Sequence, residues 1–563
     1  MKRMLKKVLK ITAWIVGILL ILVVGFCFYV WQVSDIKPPK IDKQPTKWTY
    51  EKLDSNAATY GNNWIRKSTS GLYEMYVEGD PYERGIANGI LSRHLIESQE
   101  IAFTNEIKEM IPSPAYLKFL KYIIGFMNRD LADHITDEYK EEIYGISQSA
   151  SDSFLWIGSN YSRQLNYHAA HDIGHALQNM MLVGCTSFAA WDTYTENGAL
   201  LIGRNFDFWV GDEFAKNKLI EFVNPHRGFK FAFVTWGGFI GVVSGMNEKG
   251  LTVTINAAKS DIPFGAATPV SLVAREILQY AGNIQEAIDI ARNRKMFVSE
   301  SFLIGSATDH NTVIIEKTPE TIDVYSTSDQ KITCTNHYQS KKLSNQKLNK
   351  AQMLESASAY RYNRTVELMD DNFPLSPQKM ASILRNQKGL NGTNIGWGNE
   401  KAINQLIAHH SIIFMPDSLK FWVSTEPWQL GTYVCYDLRK IFAMNGLQKN
   451  IEVANTSENI APDSFLYTDD FQKFLLFRDA KLAWMKKGVT SNIQPWTFTL
   501  NNPQYYDAYR LAGDVFVAQG KLEDARAAYL EALTKVIATE PEKRAIQDKI
   551  HKIELKLQQK QQR

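Results

Sequence analysis

The stretch Gly184-Cys185-Thr186-Ser187-Phe188, taken with Gly203-Arg204-Asn205-Phe206-Asp207-Phe208, decides how the rest of this 563-residue chain is read. Between the two lie an apolar run (Phe188, Ala189, Ala190, Trp191), the turn signal Glu196-Asn197-Gly198, and a second apolar run from Ala199 to Ile202. Two apolar runs around an Asn-Gly turn predict a β-hairpin. With the turn centred near Asn197, the residue opposite Cys185 falls at roughly position 208. Arg204 and Asp207 therefore return to the thiol. A guanidinium there favours the thiolate, and a carboxylate orients and holds a protonated amine.

What this constellation lacks is a general base. Cutting the Gly184-Cys185 bond would supply one, because a freed α-amino group has a pKa of about 7.7 to 8.0 and can take a proton from its own side chain at neutral pH. A thiol with a pKa near 8.5 needs little help, so no histidine is required.

These residues resemble the N-terminal-nucleophile (Ntn) hydrolases with cysteine, in particular the group of the acyl-coenzyme A:6-aminopenicillanic acid acyltransferases, also classed as cysteine peptidase family C45. Penicillin V acylase, bile salt hydrolase and acid ceramidase are more distant relatives. The resemblance covers roughly Gly71 to Leu438. Upstream, Val77-Glu78-Gly79-Asp80-Pro81-Tyr82-Glu83-Arg84-Gly85 with Gly89 looks like the opening strand and helix start of that family's pro-segment, and Ile135 to Glu142 resembles its second helix. Downstream, Gly250 to Asn256 and Thr335-Asn336-His337-Tyr338 match two further blocks, each ending a predicted strand in an asparagine.

The resemblance implies a role for each residue. Cys185 is the nucleophile of self-cleavage and of substrate attack, its liberated amine is the base, and Arg204 and Asp207 flank thiol and amine. Asn256 and Asn336 offer donors to the oxyanion, where loss of one donor typically costs about 3 to 4 kcal/mol of barrier. A further arginine completes such sites, and Arg361 and Arg364 both qualify. Each residue also has a plainer reading. Cys185 could be an ordinary buried cysteine, Arg204 and Asp207 a surface ion pair, and the two asparagines strand-ending turn residues. Arg361 and Arg364 read individually as solvated helix arginines.

His168, His171 and His175, at i, i+3 and i+7, share one helix face just before Cys185 and raise the question of zinc. No His-Glu-x-x-His pattern occurs, and the three span nearly two turns, so a packed helix face is the favoured reading and no metal or other cofactor is expected. Of the remaining cysteines, Cys27 lies in the apolar N-terminal stretch and Cys334 and Cys435 in predicted strands. Their spacing suggests neither a disulfide framework nor a zinc knuckle, although an oxidising compartment would leave a Cys334–Cys435 bond open.

Lys2, Arg3, Lys6, Lys7 and Lys10 precede an uncharged run from Ile11 to Trp31. As a helix that run is about 32 Å long, enough to span a bilayer. Basic residues before it hold the start in the cytoplasm, so the chain after Trp31 is expected to face outward, fitting the periplasmic side of a bacterial inner membrane. A cleaved signal peptide would have a shorter apolar core ending in small residues, whereas this run ends Phe26-Cys27-Phe28-Tyr29-Val30-Trp31. The formal net charge of +3 comes from 63 basic and 60 acidic residues. Removing the five basic residues of the start leaves 58 against 60, which argues against nucleic acid as a partner.

The organisation read from these signals is a basic start and signal anchor (1–33), a Pro-broken linker (34–70), a helical pro-segment (71–184), a catalytic domain (185–445) and a helical C-terminal region (446–563). Strand runs on both sides of a helical pair, Pro269 to Tyr280 and Ile284 to Arg294, suggest an α+β body of two packed antiparallel sheets covered by helices. The resemblance implies the same four-layer αββα sandwich. Within the last hundred residues, Tyr505 to Pro541 resembles one tetratricopeptide repeat (TPR), a unit that needs neighbours to bury its faces and could serve a protein partner.

The expected activity is that of a self-processing hydrolase or acyltransferase that cleaves or transfers the acyl group of N-acyl amides through a thioester. Phe206, Phe208, Trp209 and Trp236 offer an apolar lining for the acyl chain, and the anchor makes lipid-like amides reasonable substrates. The competing reading is a membrane-anchored, TPR-containing scaffold with an inactive Ntn-like body.

Overall fold

The computed structural model describes residues 2–42, 44–170, 172, 183–259, 265–449 and 451–561. Among these, two sheets form the body. The larger runs, in spatial order, through Tyr50–Lys52, Ala57–Tyr60, Asn63–Lys67, Tyr73–Gly79, Leu219–Pro225, Phe231–Thr235, Ser244–Asn247, Leu251–Ala257, Glu300–Ser306, Asn311–Lys317 and Ile322–Tyr325. The smaller runs through Lys331–Cys334, Val183–Asp192, Gly198–Phe208, His410–Met415, Lys420–Ser424 and Tyr433–Asp437. All neighbouring pairs are antiparallel except Tyr73–Gly79 with Leu219–Pro225, which are parallel. The first three strands arise from residues 50–67, which the sequence presents as spacer.

Period-two alternation of apolar residues buries both faces of the central strands. Ile220 and Phe222 point to a core shared by the two sheets with Ala189, Ile202, Phe414 and Val423, while Leu219 and Val223 point the other way. That second face packs under the helices Pro81–Met110, Asp137–Ser147, Val270–Tyr280 and Ile284–Asn293. The outer face of the smaller sheet, with Phe188, Leu201 and Ile413, packs under Ser358–Asp371 and Pro377–Leu384. The order is helix, sheet, sheet, helix, as the sequence implied.

The helices Pro81–Met110 and Asp137–Ser147 cross with backbones in contact. A Cβ on Gly85 would lie 2.0 Å from the Glu142 carbonyl oxygen, and one on Gly145 2.5 Å from that of Tyr82. Only glycine permits such an approach. Beneath the crossing, buried Glu142 lies between Arg84 (2.5 Å) and Arg275 (3.1 Å), which fastens these two helices to the helix Val270–Tyr280.

A fourth core joins Leu406 and Leu430 of the body to Phe474, Phe477, Tyr505, Leu511 and Tyr529 of the C-terminal helices. At its edge Trp397 and Asn502 exchange hydrogen bonds through backbone and side chain (3.1 and 2.8 Å), and Asn399 Nδ2 donates to the Val536 carbonyl (2.9 Å). The repeat therefore docks on the body. At the other end, Lys2–Val33 is one helix, long and apolar enough to cross a membrane, whose apolar side chains are largely exposed.

Candidate active site

The predicted hairpin forms from Val183–Asp192 and Gly198–Phe208, with a different register from the one counted out from Asn197. Asp192 pairs with Gly198, which centres the turn at Thr195 instead of Asn197, and an irregularity between Ala190 and Asp192 adds one residue on the returning strand, so Cys185 faces Phe206 and Gly184 faces Asp207. The turn centre alone would set Cys185 opposite position 205 and the extra residue of the bulge moves the partner to Phe206, whereas counting from Asn197 reaches about 208. The consequence is chemical, because Asp207 stands opposite the glycine of the Gly184-Cys185 bond.

Successive residues point to opposite faces. Cys185 and Arg204 lie between the sheets, and Arg204 Nη2 is 3.6 Å from Cys185 Sγ. Arg204 is held by donating to the Val243 carbonyl (2.8 Å), to Ser244 Oγ and to the Ile255 carbonyl, with its guanidinium 4.4 Å above the Phe206 ring. It is fully buried, as is Asp207, so neither belongs to a surface ion pair. Burial pushes the Cys185 thiol up to about 11 against the pull of Arg204. At neutral pH the sulfur is therefore a thiol.

Asp207 lies on the outer face of the sheet, where Gln405 Nε2 donates to Oδ2 (3.2 Å) and Gln429 Nε2 to Oδ1 (3.5 Å). Burial raises its carboxyl to about 7, with Arg361 and Arg204 opposing the rise. Asn336 Oδ1 accepts from the Cys185 backbone N–H (3.0 Å) and from Arg361 Nη2 (2.6 Å), while its Nδ2 donates to the Ala257 carbonyl (2.9 Å). Asn256 lies a little further in, accepting from Ser187 Oγ (2.8 Å) and donating to the Cys334 carbonyl (3.0 Å).

The structure separates the two candidate arginines. Arg361 Nη1 donates to the Cys185 carbonyl (2.6 Å) and to Thr186 Oγ1 (2.8 Å). Arg364 instead pairs with Glu367 (2.9 Å) and Asn386 (3.4 Å). Neither is the solvated helix arginine that its local sequence suggests, since both are buried under the smaller sheet.

Phe208 and Trp236 line an apolar cavity together with Phe103, Phe214 and Phe239, and Phe206 stacks behind Phe208 at 5.5 Å. Trp209 is half-buried and does not line that cavity. His168 is satisfied structurally, with Nδ1 2.8 Å from the Gln164 carbonyl and Nε2 accepting from the Ile240 N–H (3.0 Å). His171 and His175 lie outside the described residues, among which no cluster of metal-ligating side chains occurs. Cys334 and Cys435 are free thiols in different cores.

Several neighbours of the site carry no signal in the sequence. Gln405 is 198 residues from Asp207 along the chain. His409, His410 and Ser244 form a buried chain, with ring nitrogens 3.0 Å apart and His410 Nε2 2.9 Å from Ser244 Oγ, that ends on Arg204.

Comparison with known proteins gives the context of this geometry. Residues 193–421 match the family model for acyl-coenzyme A:6-aminopenicillanic acid acyl-transferase, and residues 500–555 that for a tetratricopeptide repeat-like domain. The first segment contains Arg204, Asp207, Asn256, Asn336 and Arg361 and begins after Cys185. An uncharacterized Archaeoglobus fulgidus protein is 28% identical over 261 residues, 43% of this chain and 42% of its own length. The Dictyostelium discoideum protein dcd1B is 22% identical over 274 residues, 45% and 51% respectively. The chain thus spans about half the length of these curated relatives.

Among solved structures, a Caenorhabditis elegans ortholog of N-acylethanolamine-hydrolyzing acid amidase aligns over 41% of this chain and 93% of its own, at 16% identity and a TM-score of 0.29. A mutant conjugated bile acid hydrolase from Clostridium perfringens aligns over 47% and 95%, at 14% identity and 0.32. Residues 193–421, about two fifths of this chain, are thus similar to the acyl-coenzyme A:6-aminopenicillanic acid acyl-transferase family.

Proposed function

We propose that this protein is a self-processing cysteine Ntn hydrolase or acyltransferase acting on N-acyl amides. The observation that carries the reading is the convergence on one peptide bond: Gly184-Cys185 runs opposite Asp207, with Arg204 beside the sulfur and Asn336 bonded to the Cys185 nitrogen. In self-cleavage Cys185 Sγ attacks the Gly184 carbonyl carbon, and the thiol proton passes to the departing Cys185 nitrogen. Water then hydrolyses the thioester, leaving a Gly184 carboxylate and a free Cys185 amine beside Asp207.

In turnover that amine takes the thiol proton, the sulfur attacks the substrate carbonyl, and the leaving amine receives the proton. Asn256 and Asn336 each use one side-chain N–H in the uncut chain, which leaves each a second for an oxyanion. The thioester passes its acyl group to water or to an amine. No cofactor is called for.

The aromatic cavity beside Phe208 and Trp236 suits the acyl portion. The domain limits given above are part of the proposal, with 71–184 as the pro-segment released from 185–445 by the cut. So is a membrane anchor at 1–33 with the body outside the cytoplasm, supported by the exposed apolar helix and the basic residues before it. A TPR-like face at 446–563 could also bind a protein partner.

The test is the intact mass of residues 34–563 purified as parent and as Cys185→Ala. Two fragments meeting between Gly184 and Cys185 in the parent alone are expected. A single uncut chain in both would leave the amine blocked and favour an anchored scaffold with an inert body.

A further inference from the structure

A cavity of about 560 Å³ lies where the helices Asp469–Lys487, Tyr506–Ala518 and Glu540–Gln561 meet Glu400, in the loop before the strand His410–Met415. Its size is that of a small-molecule site. The charges on its wall do not balance. Lys481 Nζ donates to Asp507 Oδ2 (2.7 Å), and Arg510 bridges Asp507 (2.5 Å) and Asp514 (2.8 Å), which Lys549 also reaches. Both basic side chains of the wall are thus engaged. Glu542 accepts only from hydroxyls, those of Tyr506 and Thr539. Glu400 has no hydrogen-bond or ion-pair partner among the described residues.

A second observation points to a ligand. Tyr505 lines the same cavity and is 4% exposed, and its hydroxyl has no hydrogen-bond partner among the described residues. Burial raises that hydroxyl well above its usual value, and the carboxylates of Asp507, Glu400 and Glu542 raise it further. The hydroxyl therefore stands among the acids of the cavity, while its ring packs in the core of the C-terminal helices.

An anion would be repelled by Glu400 and Glu542, and a neutral molecule would leave both carboxyls unmatched. Among the described residues no cluster of side chains is arranged to hold a metal ion. An ammonium on an apolar stem meets both demands: its charge answers the carboxyls, and Trp484 and Tyr506 offer aromatic wall for the stem. We infer that this cavity binds a small aliphatic amine, its ammonium paired with Glu400 beside the Tyr505 hydroxyl and its stem against Trp484. Such a site is independent of whether the body is a hydrolase. Burial and the neighbouring Glu542 carboxylate hold the Glu400 carboxyl above the usual carboxylate range, Asp507 adds to the rise, and Lys481 and Arg361 oppose it. An arriving ammonium favours the ionised form, so binding near neutral pH expels a proton.

The experiment is calorimetric titration of the full-length protein in detergent with 1-aminohexane, and with hexan-1-ol and hexanoate in its place. The amine is expected to bind saturably and about tenfold or more tighter than either analogue, the worth of one charge-assisted hydrogen bond. Glu400→Gln, which keeps the side-chain shape, should erase that advantage. Tyr505→Phe should weaken it a few-fold, and serves if the first variant does not fold. Titrations at neutral pH in buffers of different ionisation heat should show proton release by the parent and less by Glu400→Gln. No saturable binding of the amine, equal binding of amine and alcohol, or parent-like affinity in folded Glu400→Gln overturns the site. Tighter binding of Nα-acetyl-lysine methylamide than of 1-aminohexane overturns the small amine in favour of a lysine side chain from a partner.

Discussion

Gln405 Nε2 lies 3.2 Å from Asp207 Oδ2, and a Cβ placed on Gly184 would come within 2.8 Å of that same nitrogen. The glycine before Cys185 is thus small because Gln405 reaches across it to the carboxylate. Gly184→Ala is expected to displace the amide, lengthen or break its bond to Asp207 and slow self-cleavage. The double variant Gly184→Ala/Gln405→Ala should recover part of the rate, since the collision is removed. A time course of intact mass checks this, and additive losses in the double variant would refute the steric coupling.

Arg361 and Arg364 are three residues apart on one helix and should behave differently. Arg361→Ala removes donors to the Cys185 carbonyl, Thr186 Oγ1 and Asn336 Oδ1, so self-cleavage is expected to slow by about 100-fold or more. Arg364→Ala loses an ion pair with Glu367 and should process within about threefold of the parent. Similar losses in both would mean that Arg361 acts only through the stability of the fold.

The C-terminal helices should matter to the thiol although none contributes a side chain to it. Leu406, the neighbour of Gln405, packs in one core with Phe474. Phe474→Ala is expected to cost about 3 to 5 kcal/mol of stability and to slow self-cleavage at temperatures where the protein stays folded. Thermal unfolding and intact mass on one sample separate the two effects; normal processing in the folded variant would cut the link.

Burial raises the carboxyls of Asp207 and Glu74 to about 7 and that of Glu221 to about 8. The folded chain therefore keeps protons that the unfolded chain releases above about pH 4, and binds more of them between about pH 4 and 8. Stability of the uncut Cys185→Ala protein should fall as pH rises through that window. Asp207→Asn should flatten the fall by roughly 1 to 4 kcal/mol, measured as midpoint against pH in denaturant titrations. An unchanged slope would mean that Asp207 is ionised in the uncut protein.

The sequence by itself determined the nucleophile candidate, the hairpin that carries it, many of the later strands and the helical pair between them, the anchor-like first helix and the C-terminal repeat. All of these are written in local pattern: an Asn-Gly turn, period-two apolar runs, an uncharged stretch long enough for a bilayer. The Arg204 and Asp207 positions were legible because they lie on the strand paired to Cys185, although the turn centres at Thr195 and not Asn197 and so changes the register. Only the tertiary structure brought Arg361 and not Arg364 to Cys185, brought Gln405 and Gln429 to Asp207, turned residues 50–67 into strands and left Trp209 outside the cavity. Apart from the short local pairings of residues 50–67, each of those depends on segments more than a hundred residues apart meeting at one point, or on which face of an element a layer happens to cover. Local spacing has no term for either.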